Sequence, residues 1–286
     1  MPPVPRPPSL HHSRRHWILL RGLTREGAHW GDFAQRLQQA LPGDTVRTLD
    51  LPGNGAQHRM PSATTVQDMV HACRNALGLA GSTRTASVGA THQAEDCTPP
   101  PQRYHLLAMS LGAMVATEWA HSAPHEVAGC VLINTSMRPF SPVHQRLRLR
   151  NLPALLRLAW HWRSDAAAAE AIILRLTSQR AEEHRARLAD WVDVRRQRPV
   201  AAANALRQLL AAARYRAPAQ VPAPPVLLLG SQHDGLVSSQ CSVALARAWG
   251  CSLRLHPFAG HDLPLDDPQW VIDGVCDWLE NDAGKG

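Results

Sequence analysis

Six short apolar runs with helical patterns between them constrain this 286-residue chain more than any other feature. They occupy residues 17–20, 45–49, 105–109, 129–133, 226–229 and 252–256. Each is too short for a buried helix, and most are uninterrupted rather than alternating, as strands buried on both faces are. After the first run, Trp30, Phe33 and Leu37 recur at helical spacing until Pro42-Gly43 ends the pattern. Residues 67–79 and 112–121 repeat that spacing. Asp267-Pro268 opens a last helix with Trp270, Val271, Val275 and Trp278 on one face. Strand alternating with helix predicts a three-layer α/β fold with a mainly parallel sheet.

Three segments fall outside the alternation. Residues 1–15 are Pro-rich and basic with no apolar stretch, and read as a disordered leader rather than a signal peptide. Residues 82–103 are polar and aperiodic, and read as a flexible surface insertion in a core of 16–140 and 217–286. Residues 141–216 are helical throughout and read as a cap inserted between the fourth and fifth strands. This cap holds fifteen arginines and six acids, so it alone accounts for the chain's net charge of +7.

Composition and motifs exclude several classes. No apolar run approaches the ~20 residues that span a bilayer, so no membrane contact is expected. The six cysteines are scattered without a C-x-x-C pair, which predicts reduced thiols and a cytoplasmic protein. There is no H-E-x-x-H, and His121 and His125 are separated by the helix-breaking Pro124, so no metal is expected. No G-x-G-x-x-G follows a strand, so no dinucleotide cofactor is expected either. The basic charge comes without a recognition motif, and nucleic acid is not expected as a partner.

What remains is a serine. In "LLAMSLGAMVA", Ser110 stands where the third strand turns into a helix. Taken alone it reads as a helix cap. Asp234, in the loop after the fifth strand, reads alone as a turn aspartate, and His261, after the sixth, as one of sixteen histidines. Together they follow three separate strands in the order Ser, Asp, His. A serine hydroxyl needs a base to take its proton and a carboxylate to orient that base.

With these residues in that order the chain resembles the α/β-hydrolase superfamily over roughly residues 16–282. More locally it resembles small serine carboxylesterases of the pimeloyl-carrier-protein methyl ester esterase type. The resemblance implies Ser110 as nucleophile, His261 as base and Asp234 as its orienting acid. It implies an oxyanion hole from the backbone N–H groups of Leu23 and Leu111, and no cofactor. Two positions depart from the family pattern: Arg21 stands where a histidine is usual in "RGLTREG", and Ala108 replaces the first glycine of G-x-S-x-G.

The expected activity is hydrolysis of carboxylic esters of small to medium acyl chains. A thioesterase or acyltransferase would use the same triad, and a non-catalytic binding protein could share the fold. The cap is expected to roof the site, with Leu152, Leu155, Leu156 and Trp160 lining an acyl tunnel. Its arginines, among them Arg146, Arg150 and Arg157 at the substrate mouth, are expected to face solvent and attract a small-molecule or acyl-carrier ester, or an acidic carrier protein. Asp262 is a candidate stand-in for Asp234.

Overall fold

The computed structural model describes residues 14–79 and 102–283. The segments 1–13 and 80–101, which include most of the leader and of the surface insertion, lie outside the described residues. The strands are β1 (His16–Leu20), β2 (Thr45–Leu49), β3 (Tyr104–Met109), β4 (Val127–Ile133), β5 (Val226–Ser231) and β6 (Ser252–His256). They form one parallel sheet in the order β2-β1-β3-β4-β5-β6. Each of the six apolar runs is a strand, several of them one or two residues longer than the run.

The helices are α1 (Phe33–Ala40), α2 (Val66–Ala76), α3 (Leu111–Ser122), α4 (Val143–Arg146), α5 (Leu152–His161), α6 (Ala166–Thr177), α7 (Arg187–Gln197), α8 (Ala202–Arg214), α9 (Gln240–Trp249), α10 (Leu263–Asp266) and α11 (Pro268–Ala283). Period-two alternation in β1 sends Trp17 and Leu19 to one face, against Phe33 and Leu37 of α1 and Val271 and Val275 of α11. Ile18 and Leu20 go to the other face, against Met69 of α2, Val115 of α3 and Leu245 of α9. All these side chains are buried, and each contributes ~1.5–3 kcal/mol of apolar burial. Among the described residues no helix is long and apolar enough to cross a membrane.

The chain first moves outward from β1 to β2, then crosses back to place β3 on the other side of β1. The strand order therefore reverses between β1 and β3. A crevice opens there at the carboxyl edge, where ligands bind in open parallel sheets.

Helices α4 to α8 run between β4 and β5, over that edge. They are fastened by directed polar contacts as well as by buried apolar side chains such as Leu174, Trp191 and Ala211. Gln208 of α8 accepts from the Thr24 N–H (2.8 Å) and donates to Asn54 and Ser62 (both 2.8 Å). Arg198 pairs with Glu26, Arg187 with Asp32, and Arg25 and Arg195 share Glu170 of α6. Among the described residues six of the fifteen insert arginines reach acids rather than solvent alone, Arg187 and Arg198 on the body and the other four within the insert itself.

Candidate active site

Ser110 follows the last residue of β3 with φ 55° and ψ −116°, a conformation that a non-glycine residue rarely adopts and that costs on the order of 1–3 kcal/mol. The sheet holds it there. Its N–H donates to the Ile133 carbonyl (2.9 Å), and its carbonyl accepts from the N–H groups of Ala113 and Met114 and from the Thr135 hydroxyl. Small residues make room for the turn. A Cβ on Gly112 would lie 2.5 Å from the Arg21 carbonyl oxygen, and one on Gly22 would lie 3.0 Å from the Ser110 Cβ. The loop after β1 thus passes directly over the serine. Ala108 is fully buried between Leu20 and Leu132, and the sheet accommodates its methyl.

His261 and Asp234 meet above β5 and β6. His261 Nδ1 and Asp234 Oδ2 are 2.7 Å apart, with only 5% and 2% of each residue exposed. The other carboxylate oxygen accepts from the N–H groups of Leu236 (2.8 Å) and Val237 (2.9 Å). Burial disfavours the charged imidazole, but the adjoining Asp234 carboxylate outweighs it, and the pKa of His261 is raised above the ordinary histidine value.

Ser110 and His261 line one cavity of about 440 Å³, walled by Met109, Leu155, Leu158, Ile173, Leu176 and Leu236 among others. Among the described residues no acceptor meets the N–H of Leu23 or Leu111, on either side of the serine. The Ser110 hydroxyl has no hydrogen-bond partner among the described residues, a looseness common before substrate arrives.

Three features here have no clear signal in the sequence. Asn134, just past β4 and itself at φ 45°, donates to the carbonyls of His261 (2.8 Å) and Gly260 (3.1 Å) and to Ser231 Oγ, and accepts from the Ser231 N–H. It pins the loop that carries the histidine. Arg21, just past β1, grips both oxygens of Asp262 (3.0 and 2.5 Å) and lies over Trp30. Burial opposes the Asp262 charge; Arg21 overrides it and holds that carboxyl below its usual range. Asp262 is therefore committed to Arg21 and is not free to replace Asp234. Arg25 lines the cavity beside the ring of Trp191 while bonded to Glu170. An arginine two residues from a glycine loop is ordinary in sequence, and only the fold shows what it meets.

The insert departs from expectation at α5. Leu155 faces the cavity, joined by Leu158, Ala159 and Trp162. Trp160 does not: it is 82% exposed, and Leu156 (72%) and Leu152 are exposed beside it. One face of a helix cannot hold both groups, and the cavity takes the face of Leu155 and Leu158. Nor do Arg146, Arg150 or Arg157 reach the cavity: Arg146 bonds the carbonyls of Ala212 and Ala213, and the other two are exposed.

Among the described residues no group of three His, Cys, Asp or Glu converges where a metal could sit. The model of the alpha/beta hydrolase family matches residues 17–273, nearly the whole described chain. The chain belongs to the alpha/beta hydrolase family. This membership places it among hydrolases. A RutD protein of Cronobacter turicensis, ascribed carbamate hydrolase activity, is 28% identical over 262 residues, covering 88% of this chain and 86% of that one. Solved structures with the same fold include an enol-lactonase from Burkholderia xenovorans, with TM-score 0.66 and 18% identity over 94% of this chain and 93% of that one. A thermophilic esterase from Thermogutta terrifontis has TM-score 0.62 and 21% identity, covering 93% and 90%.

Proposed function

We propose that this alpha/beta hydrolase is a serine esterase cleaving carboxylic esters of small to medium acyl chains. The observation that carries the reading is the buried His261–Asp234 pair on the same cavity as a serine held in a strained turn. In the proposed reaction His261 Nε2 takes the Ser110 proton as Oγ adds to the ester carbonyl. Nδ1–H stays bonded to Asp234, which stabilises the imidazolium. The N–H groups of Leu23 and Leu111 receive the oxyanion, each contributing ~3 kcal/mol to the transition state. Collapse expels the alcohol, which takes the proton from His261. Water, activated by the same base, then releases the acid from the acyl-enzyme.

The apolar cavity supports an acyl chain as the bound portion. The likeness to a carbamate hydrolase favours a second reading in which the cleaved bond is that of a carbamate. Labelling with a fluorophosphonate tests the nucleophile: the adduct is expected on Ser110, and Ser110→Ala should neither label nor turn over. A panel of p-nitrophenyl esters, thioesters and carbamates of graded length then separates the readings. Absence of labelling in the folded protein would leave a binding protein on this fold.

A further inference from the structure

Helix α5 is apolar on two sides. Leu155, Leu158 and Trp162 line the cavity, while Leu152, Leu156 and Trp160, four residues apart, share the neighbouring face, which nothing among the described residues covers. Leu149 and Val143, just before this helix, are also exposed, at 58% and 72%. A single exposed leucine is ordinary; five large apolar side chains within eighteen residues form a surface.

The charge around this surface has one sign. Residues 141–164 contain five arginines, two histidines and no acid. Arg150, Arg157 and Arg163 are exposed and pair with no acid among the described residues. In residues 165–216 the pattern differs: six of the ten arginines, Arg180, Arg185, Arg187, Arg195, Arg196 and Arg198, each find a carboxylate. A second copy of the chain would bring arginine against arginine, so self-association through this face is opposed.

We propose that the outer face of α5 docks on the surface of an anionic lipid bilayer. An amphipathic helix with an exposed tryptophan and flanking guanidinium groups suits the boundary between headgroups and acyl chains. Apolar side chains enter the acyl layer and arginines meet lipid phosphates. The helix lies along the surface and does not cross it, in contrast to the expectation of no membrane contact. Its inner face walls the cavity, and Leu206 and Leu209 of α8, also exposed, border the same cavity. A bilayer on the outer face would thus lie one helix away from the site. The proposal does not rest on the ester reading, because docking is measured without turnover.

The test is flotation of the full chain with vesicles of phosphatidylcholine alone and of equimolar phosphatidylcholine and phosphatidylglycerol. Binding to the anionic vesicles is expected to be stronger by about tenfold or more and to weaken with salt. The double variant Leu156→Gln, Trp160→Ser should lose about tenfold of that binding while its melting temperature stays near that of the parent chain. Arg150→Glu with Arg157→Glu should lose as much, and tests the charge should the first pair misfold. No vesicle binding, equal binding to both vesicles, or full binding by either variant pair overturns the proposal. So does a dimer dissolved by Trp160→Ser, or capture of an acidic carrier protein without vesicle binding.

Discussion

The carboxyl edge of the sheet and the helical insert above it hold buried acids that are satisfied by different means, as Asp234 and Glu170 show. Asp234 takes two backbone N–H groups from its own turn, Leu236 and Val237, and one imidazole from the next loop. Glu170 takes guanidinium groups from Arg25, in the loop after β1, and Arg195, on α7. The first arrangement is local and fixes an orientation. The second spans 145 positions in one direction and 25 in the other, and holds the insert to the body. A turn that carries its own donors positions one oxygen toward a histidine, and Arg148 and Asn151 of the insert add bonds only to the turn's outer carbonyls, those of Leu236 and Gly235. A shared carboxylate between two arginines is lost if either layer moves.

The sharpest break of the first arrangement is Asp234→Asn. The amide oxygen can still accept from Leu236 and Val237, but the NH2 group would face His261 Nδ1 and favour the wrong tautomer. We expect kcat to fall about ten-thousandfold with little change in melting temperature. Asp262 will not rescue it, because both of its oxygens are engaged by Arg21. Loss of less than about tenfold would mean that the pair orients no base.

The matching break in the insert is Glu170→Gln. It leaves two buried guanidinium groups without their counter-charge, and removing one partner of a buried ion pair costs about 3–5 kcal/mol. Denaturant unfolding should show a loss of that order. Arg187→Ala breaks another link between the same two layers, but at a half-exposed pair with Asp32. There the expected loss is below ~1 kcal/mol. Equal losses in the two variants would mean that the insert is held by apolar contact and not by its buried charges.

The same contrast explains what could be read from the residues alone. The strands were legible because a buried parallel strand must be apolar on both faces, and that signature is carried within five or six residues. The three strand-end loops followed from the strands, since a parallel sheet delivers alternate loops to one edge. Asp234 was legible in its turn. Glu170 was not, because nothing near it in sequence names Arg25 as its partner. Helix α5 shows the same limit at closer range. Its apolar positions mark it as a helix packed on something, but periodicity does not say which of two apolar faces turns inward, and here the Trp160 face turns outward. Arg21 and Asp262 are 241 positions apart and meet only because the fold closes β1 onto the loop after β6.

The smallest expected effect is a displacement in pH, and it separates the two regions without a mutation. His261 must be neutral to accept the Ser110 proton, and the adjoining Asp234 raises its pKa against the effect of burial. The acid limb of kcat/KM should therefore lie above the ~6.5 of an ordinary histidine, falling about tenfold per unit below its midpoint. Stability runs the other way. A group whose pKa is raised on folding stabilises fully below its unfolded value, and that contribution is lost as pH rises through the folded value. Protonating His261 thus does not unfold the protein. Asp262, lowered by Arg21, keeps its contribution above its unfolded value of ~3.9 and loses it as pH falls through the lower folded value. Between roughly pH 5.5 and 6.5 the chain should stay folded while losing activity reversibly; at lower pH His29, His105 and His121, whose pKa values burial lowers, draw stability away as they are forced to charge. Thermal melting and kcat/KM measured across that window in the same buffers check this. If melting temperature falls in step with activity, the acid limb reports the ion pairs that hold the insert rather than the His261–Asp234 pair.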